Sequence, residues 1–401
     1  MLKKRLFILL KLIAYFFIDN FADIYFLLFH RKIEKSNKIL IIGDQQIGDF
    51  ILSLNSLKEY KGTFKNNKIV LLCNENLVDL ARKTNYFDEI ISINTNKIYL
   101  GNSFLRIDFS LENFIYRFKK LLELKKINYK KILNPTNLFY VSMLIKNLNA
   151  EEKIGVFDKN KYLGNFFNIP YTTLVKLDLK NELNDFAKFF RIISGQKKFL
   201  SGLPTFDFEI PKYEKLAKNY DYCAVSLSGS FYEKNWDIKN FLKSLEKINF
   251  EIDIVLVGSN TKNEINSANQ FLKLYKGKNK VINFVGKTTL MEYISIIKYS
   301  KFAFGNDSSI IHIAVASKIP SICITSGHSF EYCVPYFIEK NLTEKEKNIL
   351  PISIFHKMDC FGCGLICNKK LTKNKKFQCV DNIEVSKVIS ALNNIININK
   401  N

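Results

Sequence analysis

Short apolar runs, each followed by a polar stretch carrying apolar residues at helical spacing, recur along this chain. Asn37–Gly43 (NKILIIG), Lys68–Cys73 (KIVLLC), Glu89–Ile93 (EIISI) and Lys131–Asn134 have the length and composition of buried parallel strands. Phe50–Tyr60 and Glu75–Lys83 between them read as helices. The pattern restarts near residue 220 with Asp221–Leu227 (DYCAVSL), a helix over Ile238–Ile248 and a strand over Ile252–Gly258 (IDIVLVG). Val281–Val285, Phe302–Phe304 and Ser321–Thr325 continue it, and the Gly202, Pro204 and Pro211 stretch over 195–218 reads as the connection. This alternation predicts two α/β domains of doubly wound, Rossmann-like type. Facing one another, they would form a cleft, with ligands at the carboxyl ends of the strands, in the loops after Gly43, Leu227, Gly258, Phe304 and Thr325. The expected division is a segment over 1–35, an N-terminal domain over 36–205 and a C-terminal domain over 206–401.

The first 35 residues follow another pattern. Met1–Phe29 is rich in apolar residues, with basic residues at Lys3, Lys4 and Arg5 and again at Arg31 and Lys32. No small-residue cleavage site follows, as a secretory signal would need. Lys11, Asp19, Asn20 and Asp23 interrupt what a spanning helix would keep apolar over about 20 residues. An amphipathic, membrane-associating interfacial helix or re-entrant anchor fits these features, and a helix packed on the body of the protein is the alternative.

A length of 401 residues suits two cores, and 47% apolar residues exclude a disordered chain. The net charge of +22 favours anionic partners such as phospholipid headgroups or phosphorylated sugars. The lysines are spread along the chain, as a Lys-, Asn- and Ile-rich composition alone would also produce. No basic cluster interleaved with aromatics is present, so a nucleic-acid partner is not expected. Cys73, Cys223, Cys323 and Cys333 are scattered and read as free thiols. Cys360, Cys363, Cys367 and Cys379 have a spacing compatible with structural zinc, with reduced thiols as the alternative.

The chemistry concentrates in Phe304–Ala314 (FGNDSSIIHIA), which closes a strand and opens a helix. Asp307 and Ser308 are expected to supply capping side chains, and the first-turn N–H groups form a site for an anion such as a diphosphate. His312, four residues after Ser308, shares its helix face.

Phe284–Ala316 (FVGKTTLMEYISIIKYSKFAFGNDSSIIHIAVA) resembles the donor motif of glycosyltransferase family 9, the lipopolysaccharide heptosyltransferases. Gly48-Asp49 resembles the Gly-Asp after that family's first strand, Lys234-Asn235-Trp236 its Lys-x-Trp, and Glu264 a Glu following the strand that ends at Gly258. The four matches occur in family order and span most of residues 38–385. The resemblance implies a GT-B-like fold with an N-terminal acceptor domain and a C-terminal nucleotide-sugar domain. It implies Asp49 as the base that takes the acceptor hydroxyl proton, and Lys234 as the cation that stabilises the departing nucleoside diphosphate in place of a metal. Ser228, Glu264, Asp307, Ser308, Ser309 and His312 become the implied donor-binding residues, with Glu264 facing the ribose. The family's usual Gly is Ser309 here, its Pro after the Trp is Asp237, and its Pro in the helix after Asp49 is Asn55.

The expected activity is therefore inverting transfer of a heptose or related sugar, from a donor such as ADP-heptose to a lipopolysaccharide or lipooligosaccharide core. No cofactor would be required, structural zinc aside. The expected partners are a nucleotide-sugar donor, a lipid-linked saccharide acceptor and an anionic membrane surface. The expected location is the cytoplasmic face of a bacterial inner membrane. Hexose or N-acetylhexosamine transfer in surface-glycan assembly, and a non-catalytic nucleotide-sugar-binding protein, are the alternatives.

Overall fold

The structure, a computed structural model, describes residues 2–29, 34–43, 46–101, 108–136, 138–157, 167–178, 181–196, 202–216, 221–229, 231–338, 341–363 and 367–395. Residues 1–45, 57–177 and 189–197 form one compact unit. Residues 46–56, 178–188 and 198–401 form a second.

The first unit is built on a parallel sheet. Its strands are β1 (Glu34–Lys35), β2 (Lys38–Gly43), β3 (Lys68–Asn74), β4 (Glu89–Ile93), β5 (Ile127–Asn134), β6 (Asn149–Val156) and β7 (Thr173–Val175). They lie in the order β4-β3-β2-β5-β6-β7, with β1 also on β5. All the pairings are parallel. Ile39–Ile42 and Ile69–Cys73 are buried throughout because helices cover both faces, which is why these strands read as continuous apolar runs. The pattern reading finds β2 to β5 and misses β1, β6 and β7, whose sequences (EK, NAEEKIGV and TLV) are too polar or too short to stand out.

The second unit repeats the architecture with β8 (Tyr222–Ser226), β9 (Asp253–Leu256), β10 (Val281–Asn283), β11 (Ala303–Asn306), β12 (Ser321–Ile324) and β13 (Ile352–Ile354). The order is β10-β9-β8-β11-β12-β13, all parallel. Strand order therefore reverses between β2 and β5 in the first sheet and between β8 and β11 in the second. Doubly wound sheets bind ligands at such switch points, beyond the carboxyl ends of the strands. The helix Ile47–Thr63, whose first turns belong to the second unit, leaves the switch-point strand β2.

The N-terminal segment forms one helix, Leu2–Phe29. Lys11, Tyr15, Asp19, Ala22 and Phe26, spaced by four, four, three and four, are buried against the first unit. Asp19 receives two hydrogen bonds from Arg117, at 2.8 and 2.7 Å, and a third from Asn147 at 2.8 Å. Lys11 donates to the Gly101 carbonyl at 3.1 Å, Tyr15 to the Tyr99 carbonyl at 2.8 Å, and Asp23 pairs with Lys125. Three of the four residues that interrupt the apolar run, Lys11, Asp19 and Asp23, thus fasten the helix to the rest of the unit, while the fourth, Asn20, is exposed and donates to the Phe16 carbonyl of its own helix.

Candidate active site

The neighbouring strands β8 and β11 bring Gly305 opposite Ser226. A Cβ on Gly305 would stand 2.9 Å from the Ser226 carbonyl oxygen, so a side chain there would push the switch-point strands apart. Asn306, fully buried at the end of β11, donates to the Leu227 carbonyl at 3.1 Å and accepts from the Trp236 N–H at 2.8 Å. Asn235 accepts from the Gly229 N–H at 2.8 Å. These two amides fix the short turn Tyr232–Lys234 against the β8 loop. Lys234 is thereby aimed so that its ammonium donates to the Asp307 carbonyl at 2.8 Å.

The helix Ser309–Ala316 begins beside that ammonium. Here the expected capping by Asp307 and Ser308 is corrected. Ser308 is extended at the N-cap position and makes no side-chain cap bond. The Asp307 carboxylate is buried and turned away, accepting from Ser329 at 2.7 Å in the loop after β12. The first-turn N–H groups lack a capping side chain and stand next to a lysine ammonium, a combination suited to a phosphate or diphosphate. Gly229 adjoins the same spot, since a Cβ on it would lie 3.4 Å from the Ser308 Cβ and 3.8 Å from the Lys234 Cε.

Asp49 sits in the first turn of Ile47–Thr63 and accepts from the Gln46 N–H, as a helix-capping carboxylate does. Burial nonetheless raises its pKa from the usual carboxylate range to about 6, against the lowering effects of Gln46 and Lys234 and with Asp307 adding to the rise. A hydrogen bond from Glu182 also favours ionised Asp49. Glu182 opens the helix Glu182–Ser194, and burial beside Asp49 pushes its own pKa well up, so Glu182 is the carboxyl that keeps its proton. It is held there by its N–H, which donates to the Tyr332 carbonyl at 2.8 Å, and by the Cys333 thiol, which donates to its carboxyl at 3.3 Å. Asp49 is therefore both a helix-capping residue and a carboxylate with a raised pKa.

Gly48 explains how this turn comes so close: a Cβ on it would lie 2.8 Å from the His312 Cδ2 and 3.7 Å from the Ser309 Cα. His312 is buried, its Nδ1 is 2.6 Å from the Tyr336 hydroxyl, and burial lowers its pKa to about 4. It is a neutral imidazole at physiological pH. Asp49, Lys234, Asp307, Ser308, Ser309 and His312 thus gather within the second unit.

Ser228 and Glu264 are placed differently. Ser228 donates to Ser267 at 3.1 Å, on the helix Lys262–Leu274. Glu264 folds back over the loop after β9, accepting from the Ser259 N–H at 2.7 Å and the Ser259 hydroxyl at 2.6 Å. Its carboxylate shapes that loop, with lone pairs left for a ligand hydroxyl. Cys360, Cys363, Cys367 and Cys379 line one small pocket with His328 and Phe361. Among the described residues, no group of three or more His, Cys, Asp or Glu side chains is placed to hold a metal ion. No step of the chemistry below runs through that pocket.

Two residues that organise the site carry no sequence-level assignment. Asn306 was legible as a polar residue ending an apolar strand, which demands buried partners. Glu182 lies in an ordinary amphipathic helix, and no signal in its neighbourhood marks it.

Each of the two units is a doubly wound domain on a parallel sheet, an architecture of GT-B-like type, and a lysine beside an uncapped helix N-terminus lies at the switch point of the second. The chain belongs to glycosyltransferase family 9 (heptosyltransferase), whose sequence model matches residues 115–349. Among curated proteins there is no match. The fold is similar to that of E. coli ADP-heptose LPS heptosyltransferase II, with a TM-score of 0.65 at 15% identity over 91% of this chain and 100% of that one. It is similar to the family 9 glycosyltransferase of Veillonella parvula, with a TM-score of 0.63 at 14% identity over 91% of this chain and 99% of that one. E. coli heptosyltransferase WaaC with ADP-2-deoxy-2-fluoro heptose gives 0.59 at 14% identity over 82% and 95%.

Proposed function

We propose that this glycosyltransferase moves a heptose, with inversion, from ADP-heptose to a lipopolysaccharide or lipooligosaccharide core acceptor at the cytoplasmic face of a bacterial inner membrane. The observation that carries the reading is the Lys234 ammonium beside the uncapped N-terminus of Ser309–Ala316. Family membership and the similar folds of E. coli proteins that use or bind ADP-heptose and its fluoro analogue support the donor.

In the proposed step Asp49 takes the proton of the acceptor hydroxyl, and that oxygen bonds to the anomeric carbon. The bond from that carbon to the diphosphate oxygen breaks, and its electron pair leaves with the nucleoside diphosphate. Lys234 and the N–H groups at Ser308 and Ser309 receive the developing charge in a fixed array, so no metal ion is needed there. Ser228 and Glu264 would contact the nucleoside, and His312 would pack beneath the diphosphate. The test is turnover with ADP-heptose, UDP-hexoses and UDP-N-acetylhexosamines on a core acceptor. Turnover with ADP-heptose supports the reading, and exclusive use of a UDP sugar replaces it with hexose or N-acetylhexosamine transfer.

For the cysteine pocket we propose structural zinc, supported by four cysteines that line one pocket and that would have to draw closer around an ion to bind it. Metal analysis of purified protein tests it: about one zinc per chain is expected, and four freely titrating thiols without zinc would dismiss it.

A further inference from the structure

The N-terminal helix is amphipathic in the reverse of the usual sense. Three charged residues along it, Lys11, Asp19 and Asp23, face the protein and are bonded there. Leu9, Ile13, Phe16, Phe17, Phe21, Ile24, Leu27, Leu28 and Phe29 face outward, each more than a third exposed and Leu27 75% exposed. In water this is the costly arrangement, because a helix on a soluble protein buries its apolar stripe and hydrates its charges. The outward face continues onto the neighbouring helix Leu111–Lys125. Phe118 there touches Phe21 and Tyr25, with ring centroids 5.3 and 5.5 Å away. Leu111 and Ile115 lie on the same stripe as Phe118 and are 72% and 44% exposed. Lys119 and Lys126, both exposed, lie along that helix and just past its end.

We propose that this two-helix face is a monotopic docking surface that rests in one leaflet of a bilayer containing anionic lipids, with the helix Leu2–Phe29 lying in the plane of the interface. Leu9–Phe29 has the length and hydropathy to cross a membrane. Crossing would carry Asp19, Arg117, Asp23 and Lys125, together with the parts of the first unit that hold them, into hydrocarbon, or would break their pairs. Lying flat keeps every pair intact and buries the outward aromatics at acyl depth. Basic residues stand at both ends of this segment in the sequence, Lys3, Lys4 and Arg5 at the start of the helix and Arg31 and Lys32 after its end. A flat helix brings both groups to one anionic surface, whereas a spanning helix would divide them between two. The proposal deepens the reading of a membrane-borne acceptor but stands on this helix alone, so a different sugar donor would leave it untouched.

The test uses full-length protein and vesicles of phosphatidylcholine with or without phosphatidylglycerol. Flotation with the anionic vesicles is expected, weaker with neutral ones. The triple variant Phe17→Asp, Phe21→Asp, Leu28→Asp is expected to lose about tenfold or more in vesicle affinity, since apolar burial and headgroup attraction together set it. Its turnover of a soluble acceptor should stay at the wild-type value. Because that variant alters three positions, Phe21→Trp is the second probe: brominated lipid should quench its emission and leave that of the buried Trp236 unchanged. Undiminished vesicle binding by the triple variant, or an unquenched Trp at position 21, would overturn the proposal. Protease accessibility of the two helix ends from opposite sides of a vesicle would replace docking with spanning. A wild-type dimer that the triple variant dissolves, with vesicle binding unchanged, would assign the face to a second copy of the chain.

Discussion

Glu182 and Asp49 are neighbouring carboxyls, and burial beside Asp49 pushes the Glu182 pKa well up, so of the two it is Glu182 that holds the proton. A neutral acid beside a carboxylate favours ionised Asp49, while burial works against it and places its pKa at about 6. This pairing converts a helix-capping aspartate into a group able to accept a proton near neutral pH.

Asp49→Asn removes the acceptor of the hydroxyl proton while preserving shape. Its kcat should fall about 10²–10⁴-fold with nucleotide affinity nearly unchanged. Steady-state kinetics alongside calorimetric ADP titration checks this, and near-normal turnover would leave Asp49 as a helix cap only.

The wild-type pH profile follows from the sign of the Asp49 shift. The base acts when ionised, so kcat/KM should rise through pH 6 and fall tenfold per unit below it. Glu182→Leu removes the donor that favours ionised Asp49 and should move the acid limb upward by about one unit. Glu182→Gln retains an N–H donor and should leave the limb near its wild-type position. A purely structural Glu182 would lower activity in both variants without moving either limb.

Lys234→Ala withdraws the ammonium that stands at the helix N-terminus. ADP binding should weaken about 10- to 100-fold, as expected for a lost charge-assisted phosphate contact of roughly 1.5–3 kcal/mol. Wild-type turnover should survive chelators. A strict requirement for magnesium or manganese would contradict leaving-group stabilisation by Lys234 and backbone N–H groups.

Gly48→Ala tests the approach of the Asp49 turn to His312. The added Cβ would meet His312 Cδ2 at 2.8 Å, so the turn or the imidazole must shift. A stability loss of about 1–3 kcal/mol is expected for such overpacking, together with a lower kcat as Asp49 is displaced. Thermal melts and kinetics read the two effects separately.

Asp19→Ala probes the fastening of the N-terminal helix. Arg117, with a fully buried side chain, would lose its partner carboxylate, a change worth about 3–5 kcal/mol in comparable buried pairs. Deleting 1–35 should destabilise the first unit for the same reason, rather than merely release the protein from lipid. A truncated protein with an unchanged melting temperature would show that the helix is an independent appendage.

The sequence by itself determined the fully buried strands such as β2 and β3, because a parallel strand covered on both faces must be apolar along its whole length. KILIIG and KIVLLC announce this without any knowledge of their neighbours. It also determined the strand–helix junction at Asn306–Ser309 and the Lys-x-Trp segment, since short local motifs survive in one dimension. It placed four interruptions in the N-terminal apolar run but could not say where they pointed. The tertiary structure decided that Lys11 and Asp19 face inward, because their partners Gly101, Arg117 and Asn147 lie about a hundred residues away along the chain. It also decided that Glu182 meets Asp49, and that the Asp307 carboxylate turns to Ser329 instead of capping its own helix. Hydrogen bonds and charge pairs between distant segments leave no periodicity behind. They depend on which loops the switch point brings together, and local composition does not record that.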